Sequence, residues 1–107
     1  MVGRFFSHYG DFQGHPDSPD PIQRLREVGY IRPGYAWIVG EDLRWSYEWT
    51  STPAQVVQAW MDSPIHRLYL LKWHFDELGV GAVRGYPDDP SDPNAITVTA
   101  EFGFRTR

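Results

Sequence analysis

Three cap–proline pairs, Asp20-Pro21, Thr52-Pro53 and Ser63-Pro64, each stand directly ahead of apolar residues at helical spacing. An oxygen-bearing N-cap satisfies a free N–H of the first helical turn, and proline at the first helical position sacrifices no hydrogen bond. Each pair therefore marks a helix start. The first helix is expected over 21–28, with Gln23 in capping distance of Asp20, with Ile22, Leu25 and Val28 on one stripe, and with Gly29 as its stop. The second opens at Pro53, pairs Thr52 with Gln55 in capping-box spacing, and carries Val56, Val57, Trp60 and Met61. Because Ser63-Pro64 follows so soon, the helix must break at Asp62–Ser63, and a third helix then carries Leu68 and Leu71.

Between and after these helices the pattern changes to strands. Tyr35–Val39 is aromatic and β-branched and leads into Gly40-Glu41-Asp42, which puts Glu41 half buried at a strand end and leaves Asp42, like Asp62, at the surface. Trp45, Tyr47 and Trp49 alternate, so they either extend that strand or pave an exposed aromatic surface. Gly79–Tyr86 and Ala95–Phe104 read as a hairpin around an acidic, Pro-rich loop at 87–94. Within it Ile96, Val98, Ala100 and Phe102 share one face, and Thr97, Thr99 and Glu101 the other. Residues 10–20, rich in Gly, Pro and Asp, form a loop. Residues 1–107 are thus expected to make one α+β domain, a layered sandwich with a mainly antiparallel sheet.

Composition narrows the function classes. Five Trp, six Tyr and six Phe supply the apolar payload of a small core and argue against disorder. A net charge of −4 opposes a phosphate-tracking surface, so nucleic acid is not expected as a partner. With no cysteine there is no disulfide and no thiolate metal site, and a transition metal would need His and carboxylate ligands. The chain as written carries no signal-peptide h-region and no membrane-spanning stretch.

The residues able to carry chemistry are few. Of four histidines, His8 and His66 lie beside ordered-looking segments, with Glu41 between them in sequence. His66 falls at the third position of its helix, where the positive end of the helix disfavours imidazolium and leaves a neutral ring able to accept a proton or bind metal. It could equally cap its own helix or pack on Trp60. A carboxylate such as Glu41 at a buried strand end needs a donor. Glu77 precedes the Gly79–Tyr86 strand and closes a turn. Asp88, Asp89 and Asp92 lack calcium-loop spacing and read as a solvated loop. No nucleophile elbow, short-range zinc signature or phosphate loop occurs, and Ser63 is explained as a helix cap.

Taken in order, F-S-H at 6–8, G-Y at 29–30, W-I-V-G-E-D at 37–42, S-T-P at 51–53, W-M-D-S-P-I-H-R at 60–67, F-D-E-L-G-V-G at 75–81 and E-F-G at 101–103 resemble the bacterial SCP-like pattern of the CAP superfamily. The resemblance implies an α-β-α sandwich whose central cleft gathers two histidines and acidic residues, here His8, Glu41, His66 and Glu77. Ser63 stands where many eukaryotic relatives carry a further glutamate, Asp42 and Tyr69 replace common asparagines, and Trp73 replaces a frequent proline. The long first helix usual in the family is absent from the chain as written, so either a second copy of the chain or a further N-terminal part is expected to cover the face it leaves open. The implied function is a non-enzymatic, extracellular or cell-surface binding module for a small molecule, a lipid or a protein, with Zn²⁺ held by His8 and His66 beside Glu41. Two alternatives use the same residues. One is a protease-like, metal-dependent hydrolase with His8 or His66 holding the metal and Glu41 as general base, and the other a purely structural cluster in which Glu41 bridges the two histidines.

Overall fold

The structure is a computed structural model and describes residues 2–6, 21–85 and 91–106. Its elements are β1 (Val2–Phe6), α1 (Pro21–Glu27), β2 (Trp37–Tyr47), α2 (Pro53–Asp62), α3 (Pro64–Leu70), β3 (Glu77–Arg84) and β4 (Ala95–Arg105), with a 3-10 turn at Glu48–Thr50. The strands form one sheet in the order β1-β2-β4-β3, in which only β1 and β2 run parallel. The expected α+β class and mainly antiparallel sheet are therefore present.

The helix starts follow the cap–proline logic. Thr52 accepts from the Gln55 N–H while the Gln55 side chain accepts from the Thr52 N–H, completing the capping box of α2. Gly29, at φ +77°, ends the turn after α1 in a conformation that costs other residues a steric clash. At α3 the cap differs from expectation: the Ser63 hydroxyl makes no hydrogen bond to the helix backbone. Its oxygen lies instead 2.7 Å from His66 Nδ1, because a ring at the third helical position reaches back as a capping-box side chain does.

β2 settles a point the sequence left open. The strand expected from Tyr35–Val39 runs on through Trp45 to Tyr47, as one of the two alternatives for those rings had it, since β1 pairs with Trp37–Glu41 on one edge and β4 pairs along the whole strand on the other. Both edges of its first half have hydrogen-bond partners, so Gly40-Glu41-Asp42 lies mid-strand. Glu41 is 2% exposed rather than half buried at a strand end, and Asp42, expected at the surface, is completely buried.

Alternation along the strands sends successive side chains to opposite faces. Val39 packs with Ile22 and Ile31 on the face covered by α1, joined by Leu25, Tyr30 and Trp37. Ala100 and Phe102 pack with Val56, Trp60 and Tyr69 on the face covered by α2 and α3. Four expected stripe positions are exposed instead. Val28 lies past the end of α1 and is exposed, and α3 turns Tyr69 inward, which leaves Leu68 and Leu71 facing solvent. Val57 is likewise exposed, so α2 contributes Val56 and Trp60.

Candidate functional site

The α1 face of the sheet carries a pair of carboxyl groups. Glu41 and Glu101 are direct cross-strand partners on β2 and β4, and their side chains hydrogen-bond to each other. From α1, Arg24 Nη2 reaches Glu41 Oε2 at 3.2 Å. Burial holds the Glu101 carboxyl well above the usual range, and the bond to Glu41 and its charge push it further the same way, against the opposing charge of Arg24. Two carboxylates this close cannot both ionise cheaply, so Glu101 is held toward its protonated form beside the arginine-bound Glu41. Sequence reading placed Glu101 on the polar face of its strand but did not single it out; the missing signal was the register that sets it opposite Glu41.

Beside the pair lies a second polar group. Tyr30 donates to Glu77 Oε1 at 2.7 Å, and Arg105 Nε sits 3.4 Å from the same oxygen. Arg105 also donates to the Tyr30 carbonyl at 3.1 Å, with its guanidinium 4.2 Å over the Tyr30 ring. Burial and the Glu77 bond raise the Tyr30 pKa, so the phenol stays a donor. The ring lies over Gly103, where a Cβ would overlap it, which is why β4 needs glycine there. Together these residues border a cleft of about 390 Å³ whose lining includes Tyr30, Glu77, Glu101 and Arg105 along with apolar Leu25 and Val39.

The opposite face is different in kind. Asp42 projects beneath α3, completely buried, and neither carboxyl oxygen has a hydrogen-bond partner among the described residues. Burial first, and then the neighbouring charge of Glu41, raise its pKa to about 7. Tyr69 on α3 is raised by its own burial and by the charge of Asp42. The Trp60 indole N–H is a further buried group with no partner among the described residues.

The expected cleft residues are thus divided. Glu41 and Glu77 share the α1 face, bridged by Glu101 and Gly103 in the register of β3 and β4. α3, which carries His66, packs on the other face with Asp42. His8 lies outside the described residues, as does the loop segment with Asp88 and Asp89. Among the described residues no group of three or more His, Asp or Glu side chains is placed to hold a metal ion. The described donors alone do not fit a zinc ion, and completion of a site at His66 would fall to His8.

Compared with known families, the chain matches the CAP pattern, described as the cysteine-rich secretory protein family, over residues 5–100. The chain belongs to the CAP family. The match takes in the end of β1 from Phe5, all of β2 and β3 and the Ala95–Ala100 part of β4, so Tyr30, Glu41 and Glu77 fall within it while Glu101, Gly103 and Arg105 lie just past its end. No curated protein and no solved structure matches this CAP domain. Among its described residues no helix is long and apolar enough to cross a membrane.

Proposed function

We propose that this CAP domain is a binding module of the extracellular or cell-surface kind, which takes a small ligand with an apolar body and a hydrogen-bonding end into the cleft on the α1 face. The observation that supports this reading most is the cleft's prearranged polarity: Tyr30, Glu77 and Arg105 are already fixed by mutual bonds, and Leu25 and Leu78 offer apolar wall. Such a mixture, mostly apolar with a few held polar groups, is the usual make-up of a small-molecule site. Fatty acids and a fragment library, followed by amide shifts in NMR, test it. Shifts at Tyr30, Gly79, Glu101 and Gly103 that Tyr30→Phe weakens support the cleft; shifts confined to α2 and α3 overturn it.

Zn²⁺ on His8 and His66 belongs to the same proposal as a separate element. Calorimetric zinc titration of the wild type and of His8→Ala/His66→Ala decides it, equal heats removing the metal. A second reading, hydrolysis, draws on the Glu41–Glu101 pair, because an acid held neutral beside a carboxylate is the arrangement general acid–base catalysis uses. Turnover of peptide or ester libraries that Glu41→Gln abolishes, with the fold intact, would favour the hydrolase.

A further inference from the structure

Where the loop from α1 to β2 meets the end of β4, Tyr30, Arg32, Tyr35, Arg105 and Thr106 line a pocket of about 240 Å³. Its lining holds two guanidinium groups and no carboxylate, in a chain whose net charge is −4. Tyr30 and Arg105 also border the α1 cleft, whereas Arg32, Tyr35 and Thr106 line this pocket and not the cleft. Two like charges gathered in one concavity raise the local potential and draw in a counter-charge.

Both guanidinium groups are held in place and keep donors unused. The Thr106 N–H donates to the Ala36 carbonyl at 2.9 Å and the Ala36 N–H to Thr106 Oγ1 at 3.0 Å, which ties the loop to the residue after β4. Arg32 Nε donates to the Gly29 carbonyl at 2.9 Å, and among the described residues Arg32 makes no other hydrogen bond and no ion pair. That bond orients the fork and leaves both Nη groups for a ligand. Arg105 is fixed by Nη1 on the Tyr30 carbonyl at 3.1 Å and by the Tyr30 ring 4.2 Å from its guanidinium carbon, with Glu77 Oε1 3.4 Å from Nε. Its Nη2 makes no hydrogen bond among the described residues. Donors fixed in this way lose little freedom when a ligand binds.

We propose that this pocket is a carboxylate-binding site, in which Arg32 and Arg105 hold the carboxylate of a small organic acid and Tyr30 and Tyr35 border its body. The unused donors belong to guanidinium forks, whose planar N–H groups match the two oxygens of a carboxylate. Charge decides between anions. Glu77 already offsets Arg105, so Arg32 leaves one positive charge, which a carboxylate balances; a phosphate monoester of about −2 exceeds it and is repelled by Glu77. Size limits the body of the ligand: about 240 Å³ falls short of the roughly 300 Å³ at which pockets for drug-sized ligands begin, so a ring or short chain fits behind the carboxylate. A free acid and the C-terminus of a peptide offer the same chemistry, and the test separates them. The site does not depend on a ligand in the α1 cleft.

The test is a titration of the full chain, read by calorimetry and by amide shifts in NMR, with 3-phenylpropionate, its neutral amide, N-acetylalanylphenylalanine and inorganic phosphate. Saturable binding of at least one of the two carboxylates is expected, with shifts centred on Arg32, Tyr35 and Thr106, and the tighter of the two tells a free acid from a peptide end. The amide should bind about tenfold more weakly than 3-phenylpropionate, and Arg32→Gln should weaken either carboxylate by about the same factor. Arg26→Gln, which removes an equal charge from an exposed position on α1, should leave binding unchanged. Because Arg32 is exposed and its one hydrogen bond is too, Arg32→Gln should keep the thermal midpoint of the wild type. Shifts confined to Gly79 and Glu101 would put the acid in the α1 cleft and overturn this site while leaving the other reading intact. Failure of both carboxylates to bind, equal binding of the amide, binding that survives Arg32→Gln, or a preference for inorganic phosphate overturns it as well.

Discussion

Asp42 is the residue whose surroundings most directly set a measurable property. Its pKa is raised to about 7 in the fold, against about 4 for an unfolded chain. Below the unfolded value both states hold the proton and the contribution to stability is complete. As pH rises toward 7 only the folded state still holds it, so stability falls with pH and the loss is complete once the folded group ionises. Calorimetric melts should therefore show a midpoint that declines from pH 5 to pH 8, and Asp42→Asn should flatten that decline and raise the midpoint at pH 8 by roughly 5 °C. Glu101 has the same sign for the same first cause, burial. Glu101→Gln supplies a permanent donor to Glu41 and should flatten the remaining loss on the alkaline side, read from the same melts. Gly103→Ala should lower the midpoint at every pH, because the Tyr30 ring must leave its place on β4. Little of this was legible in the chain. Glu41 was marked by its neighbours, but burial of Asp42 and the partnership of Glu101 depend on which strands lie on either side.

At the scale of elements, the caps were the readable part. Thr52 and Gln55 stand in the spacing of a reciprocal box, and that box forms. Thr52→Ala should cost about 1 kcal/mol, seen in urea unfolding as a lower midpoint at unchanged slope. Ser63→Ala at the next helix should cost less, since its hydroxyl serves the His66 ring and caps no backbone N–H. Strands were less legible than helices. The hairpin of β3 and β4 could be read from alternation and turn residues, whereas β1 and the length of β2 could not. β1 gains its partner from a segment far along the chain, and β2 is held by neighbours on both edges. A strand's local sequence states which residues suit a pleated surface, and says little about how far pairing runs.

Over the whole molecule the dimensions are 43 × 31 × 19 Å, so the core is thin and much of one sheet edge stays in water. Among the described residues β3 is that edge, and Leu78, Val80 and Val83 on it are about two-thirds exposed. An open apolar edge strand is a template for pairing with another copy. Sedimentation velocity should accordingly show self-association rising with concentration, and Val80→Lys should abolish it without changing the melt. By itself the sequence determined the helix starts, the α+β class and the hairpin, because caps, turns and periodicity act over a few neighbouring residues, and it carried the ordered motifs by which the CAP family is recognised. Only the tertiary structure decided that Glu41 pairs with Glu101 and Arg24, that Asp42 is buried beneath α3, and that Glu41 and the helix of His66 occupy opposite faces. Those outcomes follow from strand order and register, where a shift of one residue exchanges the two faces of a sheet.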